Sequence, residues 1–187
     1  MAMRGAVAAL LIVAGVGLGG TADAKTLKGV SLPDEVQVEG APLQLNGLGM
    51  KRFLFFDLYA VGLYLENPTS EPQEAIQSEQ RKRVHVRMLK SVSGDRIASE
   101  LRKRFERTVP NVEQLRDRID RLAAAIPDMS NGYDFWITYV PARGTVLRGE
   151  DGVEVVIEGK DFADALLQVF LVSGSSDGMQ RELFSRD

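Results

Sequence analysis

GMKRFLFFDLYAVGLYLENP, residues 49–68, is the stretch on which the fold of this chain turns. From Lys51 to Glu66 its apolar residues occupy both parities and carry no helical stripe, and β-favouring aromatics dominate. A strand buried on both faces reads this way. The run exceeds an ordinary strand of about 5–6 residues, so a bend or bulge is expected, most easily at Gly62. Two adjacent cations, Lys51 and Arg52, open it. On an unbroken strand Lys51 shares a face with Tyr59, and Arg52 with Tyr64; a single-residue bulge would instead bring Lys51 to Tyr64. A cation beside a phenol above an apolar floor suits a carboxylate or phenolate. The plainer alternative is a core strand whose cations mark its solvent end and whose tyrosines simply pack.

Outward from this run, residues 25–46 are turn-rich and hold short alternations at Val36–Val38 and Leu43–Leu45, expected as one or two short strands. Asn46-Gly47 reads as a turn. Beyond Pro68, residues 71–78 suit a short helix. Lys82 to Leu89 alternates as a half-exposed strand, with Val84, Val86 and Met88 on one face and Arg83, His85 and Arg87 on the other. Ser93 is a candidate N-cap for a helix with the stripe Ile97, Leu101 and Phe105. Asn111 and Gln114 resemble a capping box for a second helix with Leu115, Ile119, Leu122 and Ile126. Residues 133–140, 144–148 and 153–157, joined by short turns, predict an antiparallel meander. Helices follow at about 161–172 and 178–184. The fold class is therefore α+β, an antiparallel sheet with helices on one face.

The chain has 187 residues, enough for one domain of ordinary size. Residues 1–24 stand apart. Arg4, an apolar Gly5–Gly20 and the small-x-small site Ala22-Asp23-Ala24 form the pattern of a secretory signal peptide cleaved after Ala24. Residues 25–187 are then a single exported domain, expected in the periplasm, with no integral membrane span once the signal is removed. There is no cysteine, which excludes disulfides, thiolate metal sites and thiol nucleophiles. A net charge of −3 gives no electrostatic case for nucleic acid.

Few motifs carry chemistry. Gly174-Ser175-Ser176-Asp177-Gly178 matches G-x-S-x-G, but it follows a helix rather than a strand, and the single histidine lies upstream; it reads as a loop. That histidine, His85, sits among arginines on a polar strand face and has no second histidine with which to hold zinc, so no metal is expected. Arg102 to Arg107 (RKRFER) is read as a solvated, ion-paired helix face. Gly47-Leu48-Gly49 lacks the third glycine of a dinucleotide fingerprint.

Taken together, LNGLGMKRFLFFDLYAVGLYLENP, KRVHVRMLKSVSGDRIASELRKRFE, YVPARGTV and GKDFADALLQVFL, in that order, resemble the bacterial exported chalcone isomerase-like family. The resemblance implies an open-faced β-sandwich, a large antiparallel sheet with helices layered on one face and a ligand held between the layers. It further implies either ring closure of a chalcone by an isomerase (an intramolecular lyase) or cofactor-free binding of a fatty acid. Both use an arginine near the start of the aromatic strand, and the fatty-acid binders add a tyrosine. Bacterial relatives usually read Gly-x-Gly-x-Arg, which places Lys51 where the arginine is expected and Arg52 beside it. The candidate ligand-binding residues are thus Lys51, Arg52, Tyr64 and, as second choice of tyrosine, Tyr59. Catalytic residues are not assignable. The leading expectation is binding of a small apolar or aromatic anion; an isomerase and a structural protein with a closed pocket are the alternatives.

Overall fold

The computed structural model describes residues 24–173 and 175–185. The signal-peptide reading of residues 1–24 therefore lies, except for Ala24, outside the described residues. A hairpin of β1 (Ala24–Leu27) and β2 (Val30–Pro33) precedes a seven-stranded antiparallel sheet. The large sheet runs in chain order through β3 (Glu35–Val38), β4 (Ala41–Phe53), β5 (Phe56–Leu65), β6 (Lys82–Met88), β7 (Asp134–Val140), β8 (Gly144–Gly149) and β9 (Glu154–Ile157). Between β5 and β6 lies α1 (Pro72–Gln77). Between β6 and β7 lie α2 (Gly94–Thr108), a 3-10 turn (Val112–Leu115) and α3 (Arg116–Ala124). After β9 come α4 (Lys160–Leu167), a π-helical segment (Gln168–Ser173) and α5 (Asp177–Phe184).

One apolar cluster joins sheet and helices. Val61, Leu63, Leu65, Val84, Val86 and Met88 of the central strands pack on Phe105, Ile119, Phe162, Leu166, Val169 and Leu171. Two smaller clusters occupy the opposite face, where the β1–β2 hairpin puts Val30 and Leu32 on Leu48, Met50 and Ala60. The molecule is therefore the α+β open-faced sandwich expected from the sequence, with its helices on one face of an antiparallel sheet.

The opening run is not one strand. It folds as the β4–β5 hairpin, turning at Leu54-Phe55, with Phe53 opposite Phe56. Burial follows from this: Ala60 to Leu65 are buried, but residues 53–56 form an exposed tip. The expected bend at Gly62 is absent, for Gly62 pairs in register with Leu48 and His85. A Cβ on Gly62 would come within 2.5 Å of the Leu32 side chain, so the position is glycine to let the β1–β2 hairpin close down.

Asn46-Gly47 is not a turn either. It lies within β4 at a register shift between Leu45 and Gly47. Asn46 is buried, donating to the Leu183 carbonyl at 2.8 Å and accepting from the Thr69 amide at 2.8 Å. A Cβ on Gly47 would overlap the Leu183 carbonyl oxygen, so this glycine admits the backbone of α5 against the sheet. The Glu182 carboxylate completes that contact by accepting from the Met50 amide at 2.8 Å. The two helix starts lie where expected but are capped differently. Ser93 makes no side-chain cap, and Asp128 accepts from the Gly94 amide instead. Asn111 adopts a left-handed conformation and likewise makes no side-chain cap.

Lys82 is 1% exposed in the row of Val84, Val86 and Met88. Its ammonium donates to the carbonyls of Ala75, Ile76 and Ser78 at 2.7, 2.7 and 2.8 Å, closing the C-terminal end of α1. Burial, reinforced by Lys160, draws its pKa down to about 8, while Asp164 and Glu79 oppose the fall. Lys82→Met keeps the volume and strands three carbonyls. It should lower the unfolding free energy by about 2 kcal/mol, seen as a lower urea midpoint at unchanged slope.

Candidate functional site

From Tyr59 to Leu65 of β5 the alternation of side chains is unbroken, and a bulge at Leu58 precedes it. Tyr59, Val61, Leu63 and Leu65 face the helices, and Ala60, Gly62 and Tyr64 face away. In β4, Lys51 stands opposite Tyr59, which puts both on the helix-facing side at the end of the sheet–helix gap. Arg52 falls on the other side, opposite Asp57.

The helix layer completes a cluster around Lys51 and Tyr59. The Tyr59 ring stacks on Phe170 of the π-helical segment with centroids 6.0 Å apart. Arg104, on α2, lies near enough for its charge to act on both groups. Burial pushes the Tyr59 phenol up to about 12, with Arg104 pulling the other way, so Tyr59 is a neutral hydroxyl donor across the physiological range. Lys51 is lowered from its ordinary value by burial first and by Arg104 second. Among the described residues Arg104 makes no hydrogen bond or salt bridge; Glu100, which feels its charge, is held by Lys103 at 3.1 Å.

Two cations and a phenol thus converge above an apolar interior. The arrangement suits a monoanion: the guanidinium offers a planar fork, the ammonium a point charge and the phenol one further donor. Below it the gap is occupied by side chains, including Phe105 stacked on Phe162 at 6.1 Å.

Of the four residues singled out in the sequence, the structure brings Lys51 and Tyr59 together. Arg52 instead turns to solvent, where it and Lys28 share Asp57, each at 3.1 Å. Tyr64 is fully buried on the outer face, donating to the Pro33 carbonyl at 2.9 Å. It also lies five residues beyond Tyr59, roughly 16 Å along the strand, so it cannot reach a ligand held by Lys51. Arg104 was concealed in the basic run. Arg102 pairs with Asp120 and Lys103 with Glu100, as a solvated face should, but Arg104 continues the stripe of Ile97 and Leu101 at helical spacing. That spacing is the signal that could have found it.

Ser176 of the G-x-S-x-G match caps α5, accepting from the Met179 amide at 3.3 Å. On the outer face of the sheet, a shallow concavity of about 520 Å³ is lined by Trp136, Arg83, Arg143 and Arg148 together with Glu39, Glu150 and Glu154. Of its arginines, Arg143 bridges Glu39 and Glu154, whereas Arg83 donates to the Thr138 hydroxyl at 3.0 Å and feels the like charge of Arg148; beside the concavity Asp134 holds His85 at 2.8 Å and Arg87 at 2.5 Å. Desolvation outweighs the help of Asp134 and keeps His85 below its ordinary pKa.

The family's sequence profile, described as chalcone isomerase-like, matches residues 24–183. The chain belongs to the chalcone isomerase-like family. No curated protein matches it. Among solved structures, the family fold is met in a fatty-acid binding protein of Arabidopsis thaliana, with a TM-score of 0.67 at 10% identity. That match covers 87% of this chain and 94% of the Arabidopsis one.

All four tyrosines, Tyr59, Tyr64, Tyr133 and Tyr139, are raised, in each case chiefly by burial. In an alkaline spectrophotometric titration, tyrosinate absorbance should therefore stay flat through about pH 10, where free tyrosine ionises. A tyrosine titrating at that value in the folded protein would contradict the packing described above.

Proposed function

We infer that this chalcone isomerase-like protein binds a small apolar anion, of the fatty-acid class, at the end of the sheet–helix gap. The carboxylate sits among Arg104, Lys51 and Tyr59, and the apolar body extends between the layers. The observation that carries this reading is Arg104, a guanidinium that makes no hydrogen bond or salt bridge among the described residues, placed beside a lysine and a phenol. Two like charges held close together repel, and an anion between them relieves that repulsion. The family and the fold shared with a fatty-acid binding protein support the ligand class.

The filled gap gives the binding a direction of approach. Phe170, stacked on Tyr59, belongs to a π-helical segment, a wide turn of a kind frequent at functional sites. We place entry there, with Phe170 swinging aside as the chain of the ligand slides under α2 and α4. The signal-peptide pattern supports a periplasmic setting, where apolar anions need a carrier through water.

A long-chain fatty acid titrated into the purified protein should bind and raise its thermal midpoint. Arg104→Ala should weaken the affinity about 10- to 100-fold, the worth of a charge-assisted guanidinium–carboxylate contact. Arg52→Ala and Tyr64→Phe should leave affinity near wild type. Absence of binding by the wild-type protein would mean that Phe105 and Phe162 close the gap for good, leaving a structural role.

The pH dependence has a definite sign. Binding of an anion favours protonated Lys51, whose pKa in the free protein lies below 10.5. Affinity should therefore be greatest on the acid side of that lowered value and fall as pH rises through it. Lys51→Arg should move the fall to higher pH, measurable by calorimetric titration across the alkaline range.

A further inference from the structure

The tip of the β4–β5 hairpin exposes Phe53, Leu54, Phe55 and Phe56 to 58, 76, 96 and 59%. Four consecutive large apolar side chains in water are unfavourable to the isolated chain, and the backbone adds to the cost. Leu54 adopts φ +53°, a left-handed conformation that two-residue hairpin turns normally assign to glycine, asparagine or aspartate. Nothing in the fold requires leucine there. The collar beneath the tip is basic: Lys28 and Arg52 share the one carboxylate of Asp57, and the Lys90 ammonium lies 5.7 Å from the centre of the Phe56 ring.

We propose that this hairpin tip inserts into the surface of an anionic lipid bilayer. Shape favours a bilayer over a protein. A convex two-residue turn cannot bury the roughly 1,000 Å² that a stable protein interface needs, whereas lipid demands no complementary surface. Depth agrees as well. The collar begins two to three residues below Phe55, roughly 7–10 Å along the strands, so Phe55 and Leu54 reach the acyl boundary while Arg52 and Lys28 remain among the phosphates.

The contact rests on the tip and its collar rather than on the ligand reading, which it extends. Lys51 and Tyr59 lie a single register step below the Arg52–Asp57 pair, so docking brings the anion cluster to headgroup level. A lipid-derived anion then passes into the gap without crossing water.

The test is sedimentation with vesicles of phosphatidylcholine, alone or mixed with phosphatidylglycerol. Wild type is compared with L54N/F55S in the same full chain, so any contribution of the apolar N-terminal segment is common to both. Wild type should partition onto the mixed vesicles, less onto phosphatidylcholine alone and less at high salt. L54N/F55S should lose about tenfold or more of that affinity, since a leucine and a phenylalanine no longer leave water. Its thermal midpoint should be unchanged or raised, because asparagine accepts the turn conformation. Arg104→Ala should partition as wild type does, which separates membrane docking from ligand binding. Equal partitioning of wild type and L54N/F55S would overturn the proposal. So would a wild-type dimer that L54N/F55S dissociates without any vesicle binding, assigning the tip to a second copy of the chain.

Discussion

The antiparallel pairing of β4 with β5 is the constraint on which the rest of the structure depends. Because the chain reverses at Leu54-Phe55, Lys51 and Tyr59 stand across from one another instead of eight residues apart on one strand. The same reversal sends Arg52 to Asp57 on the outer side and leaves Tyr64 far down the sheet, under Pro33. It also creates the exposed tip, since residues at a two-residue turn have no sheet neighbour to cover them. Anion cluster and apolar tip are thus two products of one turn.

Around that hairpin the chain uses close backbone approach where larger domains use bulk. Gly47 lets α5 rest on β4, and Gly62 lets the β1–β2 hairpin rest on the opposite face, so the longest hairpin is clamped from both sides. The clamp ends short of residues 53–56. Lys82 does similar work at the next strand, its ammonium tying β6 to α1 through three carbonyls. A chain with no cysteine has no disulfides with which to fasten these elements, and fastens them instead by packing and buried hydrogen bonds.

The two sides of the large sheet differ in electrostatic character. On the outer face Arg143 is answered by Glu39 and Glu154 and Arg87 by Asp134, while Arg83 rests on the Thr138 hydroxyl near Arg148. Between sheet and helices Arg104 makes no ion pair among the described residues and lies near a desolvated lysine.

Much of this was legible in the sequence, and for a physical reason. Side-chain periodicity is a property of the local backbone, so β6, the β7–β9 meander and the helical stripes of α2 and α3 could be read without any knowledge of partners. Fold class followed from their order, and within β5 the division of Tyr59 from Tyr64 between faces held as read. The turn at Leu54-Phe55 was not legible, because neither residue is a turn former and an aromatic run looks the same whether it is core strand or exposed tip. Nor was Asn46-Gly47, a turn pair by composition, which became a buried bulge once α5 packed against it. Which cation meets which tyrosine, and that Arg104 joins them, depends on register across a hairpin and on the seating of α2 on the sheet. These are contacts between residues distant in sequence, so only the tertiary structure could decide them.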